Sequence, residues 1–351
     1  MVNTIALFQV YESMGNIYLE ISTDNGQSWD IFNRSNQGKY LNDNPANSPS
    51  IDYLAGDELH GDYLFITFEE NGQIKIVCVG TKTNIQFSEF ISDLGHPNNH
   101  ANPVVSCFGS NKIMVVWKDQ DQYNDGLVCR HGTVNTNGLG SFTWSEGFDE
   151  NTFISYSDQY SQNPNLDIYK NGTSQVYRLT WDDEVNVYYC DLKIDINDNV
   201  YDSNLVVCSD YAGFTFNDKP SIIAVNGGAR MTWLGFRYTY YWNGQRWIEG
   251  EEHDAVFMDP GNLEQTWAFG EGAQSTSINL SLEVYSIAWA KFNNEYIEFT
   301  DSHTLHDITT LGNKGGHVQV SNGRDQYSMV AAAFNSTTPP YYFYNRPLYT
   351  M

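Results

Sequence analysis

The sequence predicts an all-β chain built as a closed ring of short antiparallel sheets, and three observations carry that prediction. Aromatic residues make up 15% of the chain and Gly occurs 28 times, with Asn and Asp recurring between short apolar runs. No long stretch shows the 3.6-residue periodicity of a helix, so strands joined by turns are what remains to bury those runs. A degenerate unit also recurs at spacings of roughly 40 to 60 residues, the length of one four-stranded propeller blade.

Each unit opens on a short strand introduced by Pro or its equivalent and continues in a more hydrophobic strand ending at an aromatic. Pro49 opens 49–52, followed by 63–68 ending at Phe68; Pro103 opens 103–106, followed by 113–117 ending at Trp117. Pro164 and Pro220 open the next two, whose second strands end at Trp181 and Trp233, and Thr276 opens a fifth ending at Trp289. A weaker sixth copy lies at 316–319 and 327–330, and the N-terminus adds one further second strand at 4–8. Counting second strands gives seven, so the expected fold is a β-propeller of seven four-stranded blades, with six as the alternative. The first unit lacks its own first strand, so N- and C-terminal strands are expected to close the ring, the tail 341–344 among them. Without a linker or a shift in composition, 1–351 reads as a single domain.

The turn after 17–21 adds a motif. Ser22, Asp24, Gly26, Ser28 and Trp29 fit the pattern S-x-D-x-G-x-[ST]-W at every defined position. Asp24 can accept hydrogen bonds from its own turn, Gly26 supplies a positive φ, and Trp29 folds back as an apolar plug. This resembles an Asp-box, the turn signature of sialidase-like β-propellers, where it is a folding element on the rim, away from the active centre. Eroded copies lie at Phe142-Thr143-Trp144 and before Trp247.

A formal charge of −25 and a pI near 4.4 argue against nucleic-acid partners and disfavour anionic membranes, both of which call for a basic surface. The five cysteines show no CxxC spacing; Cys78, Cys129 and Cys190 fall in third-strand runs and read as small apolar residues. No signal-like opening or apolar run of the ~20 residues a span needs is present. The expectation is a cytoplasmic protein, or one released without a recognisable signal peptide. No cofactor is implied, and calcium stays open without a motif behind it: the histidines are scattered, and the calcium-loop-like run from Asp195 has Val200 where Gly is required. Oligomerisation stays open.

In propellers the loops before the first strand and after the second meet on one face around the channel. That rule selects Asn47, His100, Asn102, Asn163, Asp218 and Lys219 before the strands, and Glu69, Glu70, Lys118, Asp119, Asp182, Asp183 and Arg237 after them. Such residues bind sugars through planar polar groups or supply a carboxylate pair for glycoside hydrolysis. For an enzyme, Asp119, Asp182 and Asp183 are the acid and base candidates, with His100 as a proton acceptor. The resemblance also implies a sialidase test: three arginines on the substrate carboxylate, one in an Arg-Ile-Pro motif, plus a Tyr/Glu couple. No Arg-Ile-Pro occurs, and Arg178, Arg230 and Arg324 are the remaining candidates for such a cluster.

Aromatic surplus favours binding. The stretch 233–247 carries more rings than one strand pair can bury, and Tyr240, Tyr241, Trp242 and Trp247 beside Arg237, Asn102, Asn163 and Asp218 suit sugar stacking and hydroxyl recognition. The sequence thus favours a lectin-like, carbohydrate-binding propeller with a glycan or glycoconjugate partner. A glycan-active hydrolase or lyase is the alternative, and a protein-interaction scaffold the third reading.

Overall fold

A computed structural model describes residues 7–23, 28–32, 40–57, 61–82, 86–92, 100–109, 111–120, 125–135, 141–145, 152–154, 157–158, 160–169, 173–225, 227–242, 245–269, 273–281, 284–291, 297–301, 305–308, 318–321 and 331–334. They form six sheets. β1 (Leu7–Ser13), β2 (Asn16–Ser22) and β3 (Asp30–Ile31) begin the chain. The second sheet is β4 (Ala46–Asp57), β5 (Gly61–Glu70), β6 (Gln73–Gly80) and β7 (Gln86–Phe90). The third is β8 (Ala101–Phe108), β9 (Lys112–Gln120), β10 (Asp125–Val134) and β11 (Phe142–Trp144), with β12 (Thr152–Phe153) also on β10. The fourth is β13 (Gln162–Ile168), β14 (Val176–Asp182), β15 (Val187–Ile194) and β16 (Val200–Val207). The fifth is β17 (Phe216–Val225), β18 (Gly228–Trp242), β19 (Trp247–Asp259) and β20 (Asn262–Phe269). The sixth is β21 (Ala273–Ser281), β22 (Val284–Lys291), β23 (Ile297–Asp301) and β24 (Leu305–Ile308). The hairpin β25 (Val318–Ser321) and β26 (Ala331–Phe334) returns to β1.

The first strands touch in cyclic order, β4 to β8, β13, β17, β21 and β25, and β25 touches β4 again. A ring of antiparallel four-strand meanders joined through their first strands is a β-propeller. The described residues make six sheets where counting second strands gives seven. The difference lies at the seam: β26 pairs with β1 from Phe8↔Ala331 to Tyr11↔Phe334, so the N-terminal unit and the last repeat share one sheet. This pairing covers strand edges that would otherwise stay open. The tail 341–344 lies outside the described residues.

The repeated proline has a structural cause. Ser48, Asn102, Asn163 and Lys219, each immediately before a Pro, adopt φ of 52°, 51°, 49° and 52°. At each, the pairing with the second strand shifts register. Pro offers no N–H to a ladder, and the bulge places it where none is needed. Four non-glycine residues held left-handed at about 1–3 kcal/mol each persist because the fold fixes them.

The aromatic anchors fill the joints. Phe68, Trp117, Trp181 and Trp233 are fully buried, and each packs among residues of the preceding sheet: Phe68 with Val10 and Leu19, Trp117 with Phe65 and Cys78, Trp181 with Val116 and Cys129, Trp233 with Val187 and Tyr189. All five cysteines are free and buried, and burial pushes the Cys78 and Cys208 thiols upward. Polar clamps reinforce two joints. Ser50 and Asp52 accept the N–H groups of Val105 (3.2 Å) and Cys107 (2.7 Å); Asn165 and Asp167 accept those of Ile222 (3.0 Å) and Ala224 (2.8 Å). First strands have one ladder neighbour each, and these side chains satisfy donors facing the ring interior.

Ser22 ends β2 and Trp29 precedes β3, the two outermost strands of their sheet; residues 24–27, with Asp24 and Gly26 of the motif, lie outside the described residues. In the run 142–144, Trp144 stacks on Phe142 at 5.4 Å, lies 5.1 Å from the Arg130 guanidinium and donates Nε1–H to Glu89.

Candidate functional site

Entry to each first strand and exit from each second strand fall at one end of the ring. Ala46 pairs with Glu70, Ala101 with Lys118, Gln162 with Asp182 and Asn217 with Gly235. At this mouth the left-handed residues of neighbouring blades meet, Ser48 donating its hydroxyl to Asn102 Oδ1 at 3.0 Å. Ser48 was not singled out in the sequence; its shared spacing to Pro is the signal for it.

Three residues before the proline stand Ala46, His100, Ser161 and Asn217, all buried. In the fifth sheet Asn217 is fully bonded: its N–H reaches Glu184 O (3.2 Å), its Oδ1 accepts Trp233 Nε1–H (2.8 Å) and its Nδ2 donates to Val185 O (2.9 Å). His100 keeps the backbone bond, N–H to Gly72 O at 3.2 Å, and sets its ring edge-on to Trp117 at 6.5 Å. Its Nδ1 and Nε2, and Trp117 Nε1, have no protein hydrogen-bond partner. The imidazole is 3% exposed. It faces Asp119, whose Oδ1 lies 3.4 Å from Nδ1 and is likewise unbonded. Buried polar atoms without partners are costly, and they gather where a ligand completes them.

Asp119 shares its register with Glu70, Asp183 and Gly235, each two residues after the buried aromatic. Their surroundings separate them. Glu70 holds Lys75 Nζ at 2.9 Å and the N–H groups of Asp43 and Asn44. Asp183 holds its own turn through the N–H groups of Val185 and Asn186 and the Tyr188 hydroxyl; although burial raises its pKa, these bonds lower it below the ordinary range. At Gly235 the place is filled, since a Cβ would stand 2.6 Å from the Phe214 ring. Only Asp119 of this set keeps a buried oxygen without a partner. On the adjoining blade, burial raises the Glu69 carboxyl despite a hydrogen bond from Asn47 and the proximity of His100.

Asp182 is a second distinct acid. It is fully buried and accepts Asn163 Nδ2–H (2.9 Å) and Lys219 N–H (2.9 Å) on Oδ2, and Glu184 N–H (3.2 Å) on Oδ1. Burial, aided by the Asp218 charge and opposed by those bonds, raises its pKa to about 7. Asp218 lies 3.6 Å from Lys219 Nζ.

The other sequence candidates fall elsewhere. Arg237 is exposed, 5.2 Å over the Phe214 ring, at the base of a two-stranded ribbon running from Arg237↔Glu252 to Trp242↔Trp247. Tyr240, Tyr241, Trp242 and Trp247 lie on this ribbon; their side chains are outside the described residues. Phe216, Phe236 and the exposed Tyr238 form an aromatic row at its root. Arg178 is tied within its sheet to Asp191 and Tyr189, Arg230 donates to Ala229 O, and Arg324 lies outside the described residues. The Asp195 carboxylate accepts the N–H groups of Asn197 and Asn199 in its own turn. Among the described residues no His, Cys, Asp and Glu group is arranged to hold a metal.

No protein-family model matches the sequence, and no curated protein sequence matches it. Among solved structures, the chain is similar to Trypanosoma rangeli sialidase in complex with sialic acid, at TM-score 0.48 and 9% identity over 83% of this chain and 52% of that one. It is also similar to the endo-arabinase from Bacteroides thetaiotaomicron VPI-5482 (0.43, 14%, 76% and 94%) and to a triple arginine-to-alanine mutant of AofleA from Arthrobotrys oligospora (0.44, 8%, 95% and 91%). The chain spans about half the length of the trypanosomal sialidase. These likenesses are distant, and the propeller architecture follows from the ring of first strands itself.

Proposed function

We propose that the mouth of the ring acts on glycans by acid–base chemistry, centred on His100 and Asp119, with Asp182 as a second titratable carboxyl. One observation carries this reading: a buried His–Asp couple with unbonded polar atoms, in a slot that the fifth sheet fills with a fully bonded Asn217. In this reading His100 Nε2 takes a proton from a bound hydroxyl or water, and Asp119 steadies the charge formed on the ring from the Nδ1 side. Contacts of this length in a ligand-free site shorten when substrate binds. A carboxyl with a pKa of about 7 is suited to give a proton near neutrality. The glycan class rests on the Asp-box resemblance and on a mouth bearing Asn47, Asn102 and Asn163. Incubation with a glycan panel, analysed by product mass, tests the reading: cleavage by the native protein and its loss in folded His100→Asn and Asp119→Asn is the expected result.

A second reading, non-catalytic sugar binding, is favoured by the aromatic row Phe216, Phe236 and Tyr238 leading to the ribbon. Retention of intact glycans without cleavage would establish it in place of the first.

A further inference from the structure

We infer that the mouth selects glycans that carry no acidic group and rejects uronates, sialosides and sulfated chains; this rests on the functional reading above. The described acids of the mouth outnumber the cations able to answer a substrate anion. Asp119 Oδ1 is unbonded and faces His100; Glu69, Asp218 and Glu184 stand on other blades of the ring. The described basic groups are fewer and stand beside acids or rings, with Lys219 and Arg237 reaching solvent. Lys75 Nζ is bound by Glu70 at 2.9 Å and Asp43 at 3.0 Å, Lys219 Nζ lies beside Asp218, Lys118 is 9% exposed, and Arg237 sits over Phe214.

Recognition of a sugar carboxylate or sulfate calls for a guanidinium fork or an ammonium in a position to bond it. Here an anionic substituent would meet the buried Asp119 and, beside solvent, Asp218 and Glu184, on a chain of net charge −25. Like charges disfavour binding, strongly beside a buried carboxylate and weakly beside solvent-exposed ones. A neutral sugar meets none of this. Its hydroxyls need only the amide and carboxylate groups already present at the mouth, Asn47, Asn102 and Glu69 among them.

Matched glycan pairs test this: native acidic polysaccharides and the same chains after carboxyl reduction, with sialylated and desialylated oligosaccharides beside them. The expected result is processing confined to the neutral members, with a preference of about 100-fold. Residual action on acidic members should rise with salt, which screens the repulsion, and Glu184→Gln should raise the acidic-to-neutral ratio. Equal processing of both members, or preference for the acidic one, overturns this inference and leaves the glycan-active reading standing. Failure to process or retain any member overturns the functional reading itself.

Discussion

His100 and Asn217 occupy the same place in two repeats, three residues before the proline, each donating its N–H at 3.2 Å to a carbonyl of the preceding blade. Asn217 uses its amide to satisfy the buried tryptophan below it, and His100 leaves the corresponding Trp117 Nε1 without a partner. His100→Asn is therefore expected to stabilise the fold by about 1 kcal/mol, the worth of one added hydrogen bond. The same change should lower turnover by roughly 100- to 10,000-fold. Denaturant unfolding and product mass read the two effects separately; a variant both less stable and fully active would show that His100 is a packing residue.

Asp119→Asn keeps the shape of its carboxyl and removes the charge facing Nδ1. Turnover should fall on the order of 100-fold with KM little changed, because the charge matters when the ring becomes protonated rather than when substrate binds. Asp183→Asn, in the same register but spent on its own turn, should act on stability and leave turnover nearly intact. Steady-state kinetics of the pair distinguish the roles.

Asp182 links stability to pH. Its folded pKa is raised from 3.8 to about 7, so the folded state binds the proton more tightly than the unfolded state does. The stability this confers is full below the unfolded value and is lost as pH rises through about 7, on the order of 4 kcal/mol in total. Thermal unfolding between pH 4 and 9 is expected to show a midpoint that declines up to about pH 7 and levels off above it. Asp182→Asn should flatten the decline, and the alkaline limb of the native activity profile should fall near the same pH.

Asp167→Ala removes the acceptor of the Ala224 N–H at a buried joint. A loss of about 1–3 kcal/mol follows from one unsatisfied buried donor. The midpoint should drop by a few degrees without a change in acid–base behaviour. Calorimetry provides the check, and an unchanged midpoint would show that the clamp is dispensable.

Much of the fold is legible because four blades use the same two anchors. A proline needs a bulge on the first strand, and a buried Phe or Trp fills the joint, so both leave a mark at fixed spacing. Ring closure is legible in part: the N-terminal unit's missing first strand points to closure by terminal strands, as β26 on β1 shows, but strand counting alone makes that one sheet into two. In the mouth, sequence brings forward His100, Asp119 and Asp182 but also Glu70 and Asp183, which look equivalent to Asp119. What separates them is local bonding, Lys75 on Glu70 and a tight turn on Asp183. The contrast between His100 and Asn217 likewise emerges only when each is seen against its tryptophan.

The seam also sets an order of events. Hairpins within a sheet join near neighbours in the chain, whereas Phe8 meets Ala331 across almost the whole described length. Bringing such distant segments together is the entropically slow step of an all-β chain. Individual blades can thus assemble before the circle is sealed, and the proline bulges and interlocking tryptophans must hold an open arc until its last hairpin arrives.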